Sequence, residues 1–341
     1  MNYLGGLLRV KRETRNGVLD IVTLADIKAA QSRISGVAAR TPLLKYPVLL
    51  DGRSLYLKPE NFQPMGAFKI RGAFNKIASL TVEQRSHGVI TYSSGNHAQG
   101  VAYAARELGT KAIVVMPENA PKIKVEATRD YGAEVVFVGP SSHERKAKAE
   151  ELAQAHHYQI IPPYNDEKII AGQGTIALEI FEDLPEVETV LCPVGGGGLI
   201  SGVSAGLKLQ NPKIKMIGVE PELANDAQQS LRAGHIVSLS AEQVNHTLAD
   251  GLRTQSVGEI NFQHISQYVD EIITVTEDEI RAAVRRLAME GRLVVEPSGA
   301  VGFAAFLFHA EQLPATKNNV VVISGGNIAP EMLAEVLCEN P

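Results

Sequence analysis

Only two cysteines occur among the 341 residues, Cys192 and Cys338. They are far apart and lack metal-ligand spacing. That excludes a disulfide framework and points to a reducing, cytoplasmic compartment. Long apolar runs are also missing, because glycine or polar residues break each one. No segment is therefore expected to span a bilayer. Positive charge is not in excess: 33 Lys+Arg stand against 38 Asp+Glu, a net charge of -5. Neither nucleic acid nor an anionic membrane is an expected partner. Near the N-terminus, Arg9, Lys11, Arg12 and Arg15 follow an apolar patch instead of preceding it. That is the wrong order for a signal peptide. No repeat, low-complexity tract or Ser/Gly linker marks a domain boundary.

At roughly 150 residues per domain, the length implies two domains. Short β-branched runs alternate with longer alanine-rich stretches of helical spacing. Strands are expected at 88–92, 112–116, 134–138, 158–161, 189–194, 214–219 and 320–323. Helices are expected at 96–108, 121–131, 142–156 and about 199–209. This alternation predicts an α/β fold with parallel sheets flanked by helices. Thr23 with Asp26, and Thr276 with Glu279, look like capping boxes at two further helix starts. Pro121 suits a first helical turn.

One loop carries chemistry by itself. The strand ending at Val194 runs into Gly195, Gly196, Gly197 and Gly198, and a helix follows. Four glycines let several backbone N–H groups face one concavity, with the helix's positive end behind them. Such a nest binds phosphate, although a ligand-free tight turn is the plainer alternative. The spacing is neither G-x-G-x-x-G nor G-x-x-x-x-G-K-[ST], which weakens dinucleotide and nucleoside triphosphate readings.

Three more segments add to it. Pro64-Met-Gly-Ala-Phe68-Lys69-Ile-Arg71-Gly72 puts a lysine beside an aromatic after a glycine turn. Alone it reads as a solvated lysine. Ser93-Ser94-Gly95-Asn96-His97 places hydroxyls, an amide and a helix start at one strand end, which suits a carboxylate. Ser324-Gly-Gly-Asn327 repeats that arrangement after the last strand.

Together these segments resemble the fold type II pyridoxal-phosphate enzymes, specifically the serine/threonine dehydratase and serine racemase family. The resemblance runs from about residue 23 to 335. It includes Ile170-Ala-Gly-Gln-Gly174-Thr175, Ala249-Asp250-Gly251 and Glu296-Pro-Ser-Gly-Ala300. It implies a two-domain fold of the tryptophan synthase beta type. Residues 1–65 and 164–341 would form the large domain and 66–163 the small one, with pyridoxal 5'-phosphate between them. It implies Lys69 as the residue covalently attached to the cofactor, and Phe68 packed on the ring. Asn96 would meet the phenolic oxygen, and Asn165 would lie near the cofactor. Gly195 to Gly198 and the Leu199 N–H would hold the phosphate. Ser324 would face the pyridine nitrogen, where a hydroxyl makes a weaker electron sink than a carboxylate and suits β-elimination. Ser93, Ser94, Asn96 and His97 would bind the substrate carboxylate, with Arg145 nearby.

The activity so implied is an ammonia-lyase that turns L-threonine or L-serine into a 2-keto acid and ammonia. Serine racemase and 3-hydroxyaspartate dehydratase are alternatives within the family. Ser94 matches the acid–base group that racemisation needs on the face opposite Lys69, and it equally suits a helix cap. A nucleotide-binding protein using the glycine loop is the alternative from another class. A catalytically dead relative is disfavoured by Lys69, and a β-replacement enzyme by the Ala67-to-Gly72 segment. Met65 departs from the threonine common in the family. Glu220, the carbonyl of Ala224 and Asp226 resemble the racemase branch's cation loop, suited to Mg²⁺, Ca²⁺ or Mn²⁺. The plainer reading is a solvated acidic loop. The resemblance also implies a homodimer. With Pro341 soon after the Ser324 motif, no further regulatory domain is expected.

Overall fold

The computed structural model describes residues 21–338 except 48–51, 94, 121, 140 and 141. In chain order its elements begin with α1 (Leu24–Ile34), β1 (Leu44–Lys45), β2 (Ser54–Pro59), α2 (Lys69–Ala78) and α3 (Val82–His87). Then come β3 (Val89–Tyr92), α4 (Asn96–Glu107), β4 (Ala112–Pro117), α5 (Lys122–Asp130), β5 (Glu134–Val138), α6 (Ser142–His156) and β6 (Gln159–Ile160). Next are α7 (Glu167–Asp183), β7 (Thr189–Pro193), α8 (Gly198–Lys208), β8 (Lys215–Pro221), α9 (Asp226–Ala233) and α10 (Ala241–Val244). The chain closes with α11 (Glu259–Tyr268), β9 (Glu271–Val275), α12 (Glu277–Met289), α13 (Pro297–Phe308), β10 (Asn318–Ile323) and α14 (Pro330–Cys338).

Two sheets form. One has the order β5-β4-β3-β6 and is parallel throughout. The other has the order β1-β2-β10-β7-β8-β9, parallel except for β1 against β2. The α/β class with helix-flanked parallel sheets is therefore as expected. Strand β7 is buried along its whole length, as are β4 and nearly all of β10. Strands covered on both faces read as unbroken apolar runs, which is why they stood out in the sequence. Strands β2 and β9 did not stand out. Polar positions such as Ser54, Lys58, Glu271 and Thr274 interrupt them.

Both capping boxes form, at the starts of α1 and α12. Pro121 and residues 1–20 lie outside the described residues. Among the described residues no helix is long and apolar enough to cross a membrane.

Helix α7 organises the interior. A Cβ at Gly172 would fall 2.6 Å from the Arg71 carbonyl oxygen, so α2 and α7 touch backbone to backbone. A Cβ at Gly202 would fall 2.3 Å from the Ile170 carbonyl oxygen, so α8 touches α7 the same way. Side chains at these places would push α2 and α8 away from α7. Lys69 opens α2 and the glycine loop opens α8, so these close contacts set their separation.

Candidate active site

Three strand ends supply the site: Ser93, Gly95 and Asn96 after β3, Gly195–Gly198 after β7, and Ser324–Asn327 after β10. The crevice beyond the carboxyl ends of parallel strands is the usual ligand site of such sheets. The Lys69 segment is stitched to the β10 turn. Phe68 N–H donates to Ser324 O at 3.1 Å, Gly326 N–H donates to Gly66 O at 2.9 Å, and Ala67 bridges Gly325. Gly66 has φ +77°, and a Cβ there would meet Asn327 Oδ1 at 2.4 Å. Only glycine allows both the turn and this approach. Helix α4 closes in from the other side, where a Cβ at Gly100 would lie 3.2 Å from Lys69.

Lys69 Nζ donates to Pro163 O at 2.9 Å and lies 5.1 Å from the Phe68 ring centroid. Desolvation lowers its amine to about 8. A lysine poised there is neutral in a useful fraction near physiological pH. Asn96 is held at both ends of its amide: Nδ2 donates to Glu296 Oε1 at 2.6 Å, and Oδ1 accepts from Asn327 Nδ2 at 2.8 Å. His97 is buried, with Nε2 3.0 Å from Ile161 O. A carbonyl only accepts, so Nε2 carries the proton and Nδ1 is a buried acceptor without a partner. Burial, then the charge of Lys69, push His97 down to about 3, so the ring is neutral. Ser93 Oγ accepts from Gly95 N–H at 3.3 Å, beside the free end of α4. Ser94 lies outside the described residues.

The glycine loop starts α8, with Gly197 at φ +92°. The ring of Tyr164 lies directly on it: a Cβ at Gly196 would fall 2.2–2.4 Å from three ring atoms. Pro163, which receives Lys69, is the residue before Tyr164. The 163–164 segment thus joins the lysine to the glycine loop. Asn165 faces elsewhere; its Oδ1 accepts from Ile260 N–H at 3.0 Å and secures the start of α11. Arg145 is half-buried in the first turn of α6, and burial holds its guanidinium below the ordinary arginine range. Ser324 is buried, its Oγ only 3.4 Å from Ser298 O.

These groups suit the cofactor that the resemblance implies. An amine freed of most of its solvation, a hydroxyl with a single long hydrogen bond, a fixed amide and a nest of N–H groups match its carbonyl, pyridine nitrogen, phenolic oxygen and phosphate. Pro163, Tyr164 and Glu296 have no role in the sequence reading, and Asn327 enters it only within the Ser324 segment. A backbone carbonyl leaves no sequence signal, whereas Tyr164 sits beside the Asn165 motif that did.

A second constellation lies at the end of β8. Glu220 accepts from the N–H groups of Ala227 at 3.0 Å and Gln228 at 2.8 Å. Both carboxylate oxygens of Asp226 are buried without a partner, and Ala224 is buried beside them in the sequence. Burial, then the charge of Asp226, raise Glu220; burial raises Asp226 to about 7. Two buried carboxylates without a counter-charge call for a proton or a cation. An oxygen-only set fits a hard divalent ion. Among the described residues no cluster of three or more His, Cys, Asp or Glu side chains suits a metal, so this site would rest on two carboxylates and a backbone carbonyl.

Comparison with known proteins identifies the family. The profile of the family "Pyridoxal-phosphate dependent enzyme" matches residues 34–325. The chain is 44% identical over 319 residues to an L-threonine ammonia-lyase of Thermotoga maritima, covering 93% of this chain and 78% of that protein. It is 41% identical over 319 residues to the L-threo-3-hydroxyaspartate ammonia-lyase of Saccharomyces cerevisiae, covering 93% and 97%. Among solved structures it resembles maize serine racemase, with a TM-score of 0.88 and 37% identity over 93% of this chain and 97% of that one.

Proposed function

The chain belongs to the pyridoxal-phosphate dependent enzyme family, and we propose that it releases ammonia and a 2-keto acid from L-threonine or L-serine. The observation that carries this reading is Lys69. Its amine is desolvated, held on a backbone carbonyl, and stitched to the turn that presents Ser324. When bound, the cofactor supplies a carbonyl that links to amines and a ring that accepts the electrons left by a broken Cα–H bond. In this reading Lys69 is the covalent anchor, and its freed amine takes the proton from Cα. Pro163 O steers that amine in one direction. Ser93 Oγ and the N–H groups opening α4 orient the substrate carboxylate. His97 contributes there through its backbone N–H, because its ring is committed to Ile161 O. Ser324 offers a neutral hydroxyl to the ring nitrogen, and the N–H groups of Gly195 to Leu199 hold the phosphate.

We assign residues 66–163 to a small domain and the remainder to a large one, which the two separate sheets support. A cleft between such domains excludes water from the reacting amine. The family resemblance implies a homodimer. The two unpaired cysteines suit a reducing compartment such as the cytoplasm. Glu220, Ala224 and Asp226 would hold Mg²⁺, Ca²⁺ or Mn²⁺ away from the reacting atoms, as an organiser of the β8–α9 corner.

Keto-acid release and chiral chromatography across L-serine, L-threonine and 3-hydroxyaspartate, with and without Mg²⁺, test the reading. Keto acid from L-threonine or L-serine is expected. Its absence with all three substrates defeats the proposal. A dominant yield of D-serine would transfer the assignment to the racemase reading, which the likeness to a serine racemase favours and which Ser94 would serve on the second face.

Lys69 also sets a pH dependence for cofactor loading. Attachment needs the neutral amine, and an amine lowered to about 8 is mostly protonated at pH 6. The attachment rate should rise about tenfold per pH unit below that value and level off above it. Stopped-flow growth of the visible band after mixing apoprotein with pyridoxal phosphate measures this. A rate still climbing at pH 10 would show an ordinary lysine instead.

A further inference from the structure

Glu296 stands at the N-cap of α13, where an acidic side chain ordinarily accepts from the helix's first N–H groups. It makes no such bond. Its buried carboxylate reaches across to Asn96, with Oε1 2.6 Å from Nδ2. Asn327 Nδ2 meets the other end of the same amide, 2.8 Å from Asn96 Oδ1, and is itself anchored 3.0 Å from Met65 O. The glycine turn shapes this contact: a Cβ at Gly325 would fall 2.3 Å from Glu296 Oε1.

The two ends of an asparagine amide are chemically opposite. Oε1 of Glu296 accepts, and the Asn327 amide nitrogen donates. Only one orientation of Asn96 satisfies both. In that orientation one N–H of Nδ2 is spent on Glu296 and the second is left over. We propose that Glu296 is a positioning residue: with Asn327 it clamps the Asn96 amide so that its remaining N–H faces the phenolic oxygen of the cofactor. This rests on the pyridoxal-phosphate reading above. Burial, then the charge of Asp250, push the Glu296 carboxyl up to about 7, while Asn96, Lys124 and the Asn327 backbone amide pull it back. Whether or not Glu296 carries a proton on Oε2, Oε1 still accepts, so the clamp survives the titration.

The clamp leaves a spectroscopic signature. When bound, the cofactor would absorb through a ring conjugated to its link with Lys69, so a wandering Asn96 beside the phenolic oxygen would alter the visible band. In the holoenzyme, Glu296→Ala should shift the absorption maximum and move the pH at which the band titrates. Cofactor should dissociate about tenfold more readily, the equivalent of one lost hydrogen bond to a charged group. Asn327→Ala should move the band in the same direction. Glu296→Gln keeps an acceptor and should stay near wild type. An Ala variant whose band and titration match wild type overturns the role of Glu296, and so does a Gln variant as perturbed as Ala. If Glu296→Ala fails to fold, the Asn327→Ala and Glu296→Gln pair decides by the same criteria. A wild-type protein with no band bleached by borohydride would defeat the cofactor reading itself, a different failure.

Discussion

Lys69→Ala is expected to abolish turnover and the visible cofactor band together while leaving the fold intact. The amine has two duties in the proposed reaction. It anchors the cofactor covalently, and it moves the proton at Cα. A positioned acid–base group contributes about 10²–10⁴-fold by itself. Losing the anchor as well should take the rate down by at least about 10⁴-fold. Stability should change little. Nζ makes one described hydrogen bond, to Pro163 O, worth about 1 kcal/mol. Removing a desolvated amine offsets part of that loss. Lys69→Arg should be equally inactive, because a guanidinium stays protonated and does not link to a carbonyl. Ammonia release from L-threonine, the absorbance spectrum and thermal melting are the three measurements. Ammonia release by the alanine variant near the wild-type rate would overturn the assignment, and so would a surviving borohydride-sensitive band.

Much of this site could be read from the sequence because its chemistry sits in contiguous motifs at strand ends. Lys69, the glycine loop and Ser324 each lie within a few residues of a glycine turn, and the last two mark where a buried strand stops. The Ile170–Thr175 motif was visible too, but its physical meaning was not. Its glycines exist so that α2 and α8 can press on α7, a three-helix fact with no local signal. What stayed hidden depends on partners distant in the chain. Glu296 meets Asn96 across 200 residues, and Lys69 meets a backbone carbonyl 94 residues away. Asn165 shows another side of this. The family resemblance places it near the cofactor; its Oδ1 secures the start of α11, and Tyr164 lies on the glycine loop. Neighbouring positions in a loop point in different directions, and spacing alone does not say which points inward.

The largest stability effect is expected two residues beyond Lys69. Arg71 is fully buried between two carboxylates. Its Nε and Nη2 bond Glu60 at 2.7 and 2.9 Å, and its Nη1 and Nη2 bond Glu179 at 2.6 and 2.9 Å. Lys58, equally buried, adds a second cation 2.6 Å from Glu179. Two positive and two negative charges balance in the buried interior, and Thr41, Gln63 and Thr175 satisfy remaining positions. The cluster joins β2, α2 and α7, so it also fixes the helix that carries Lys69. Arg71→Met removes one charge of four and leaves two carboxylates sharing Lys58. Breaking a buried pair in this way costs about 3–5 kcal/mol. Arg71→Lys should recover little, since an ammonium cannot reproduce a fork that bonds both carboxylates.

The pH dependence of that cost gives a sharper test. In the wild type, burial pushes Glu60 up, but Arg71, Lys58 and the Thr41 hydroxyl together pull it further down, below the ordinary glutamate value. A lowered carboxyl lends stability above its unfolded value and loses it as pH falls through the folded one. Without Arg71, burial is opposed only by Lys58 and the Thr41 hydroxyl, so the same carboxyl shifts upward. The variant is then penalised at neutral pH and relieved as acid protonates Glu60. The gap in unfolding free energy between wild type and Arg71→Met should therefore be largest near pH 7 and shrink toward pH 4.5. Urea titrations at the two pH values measure it. A gap that is constant with pH would mean that Arg71 contributes by packing alone. A gap under about 1 kcal/mol at pH 7 would mean that the cluster is replaceable by apolar contacts, an outcome known for some buried ion pairs.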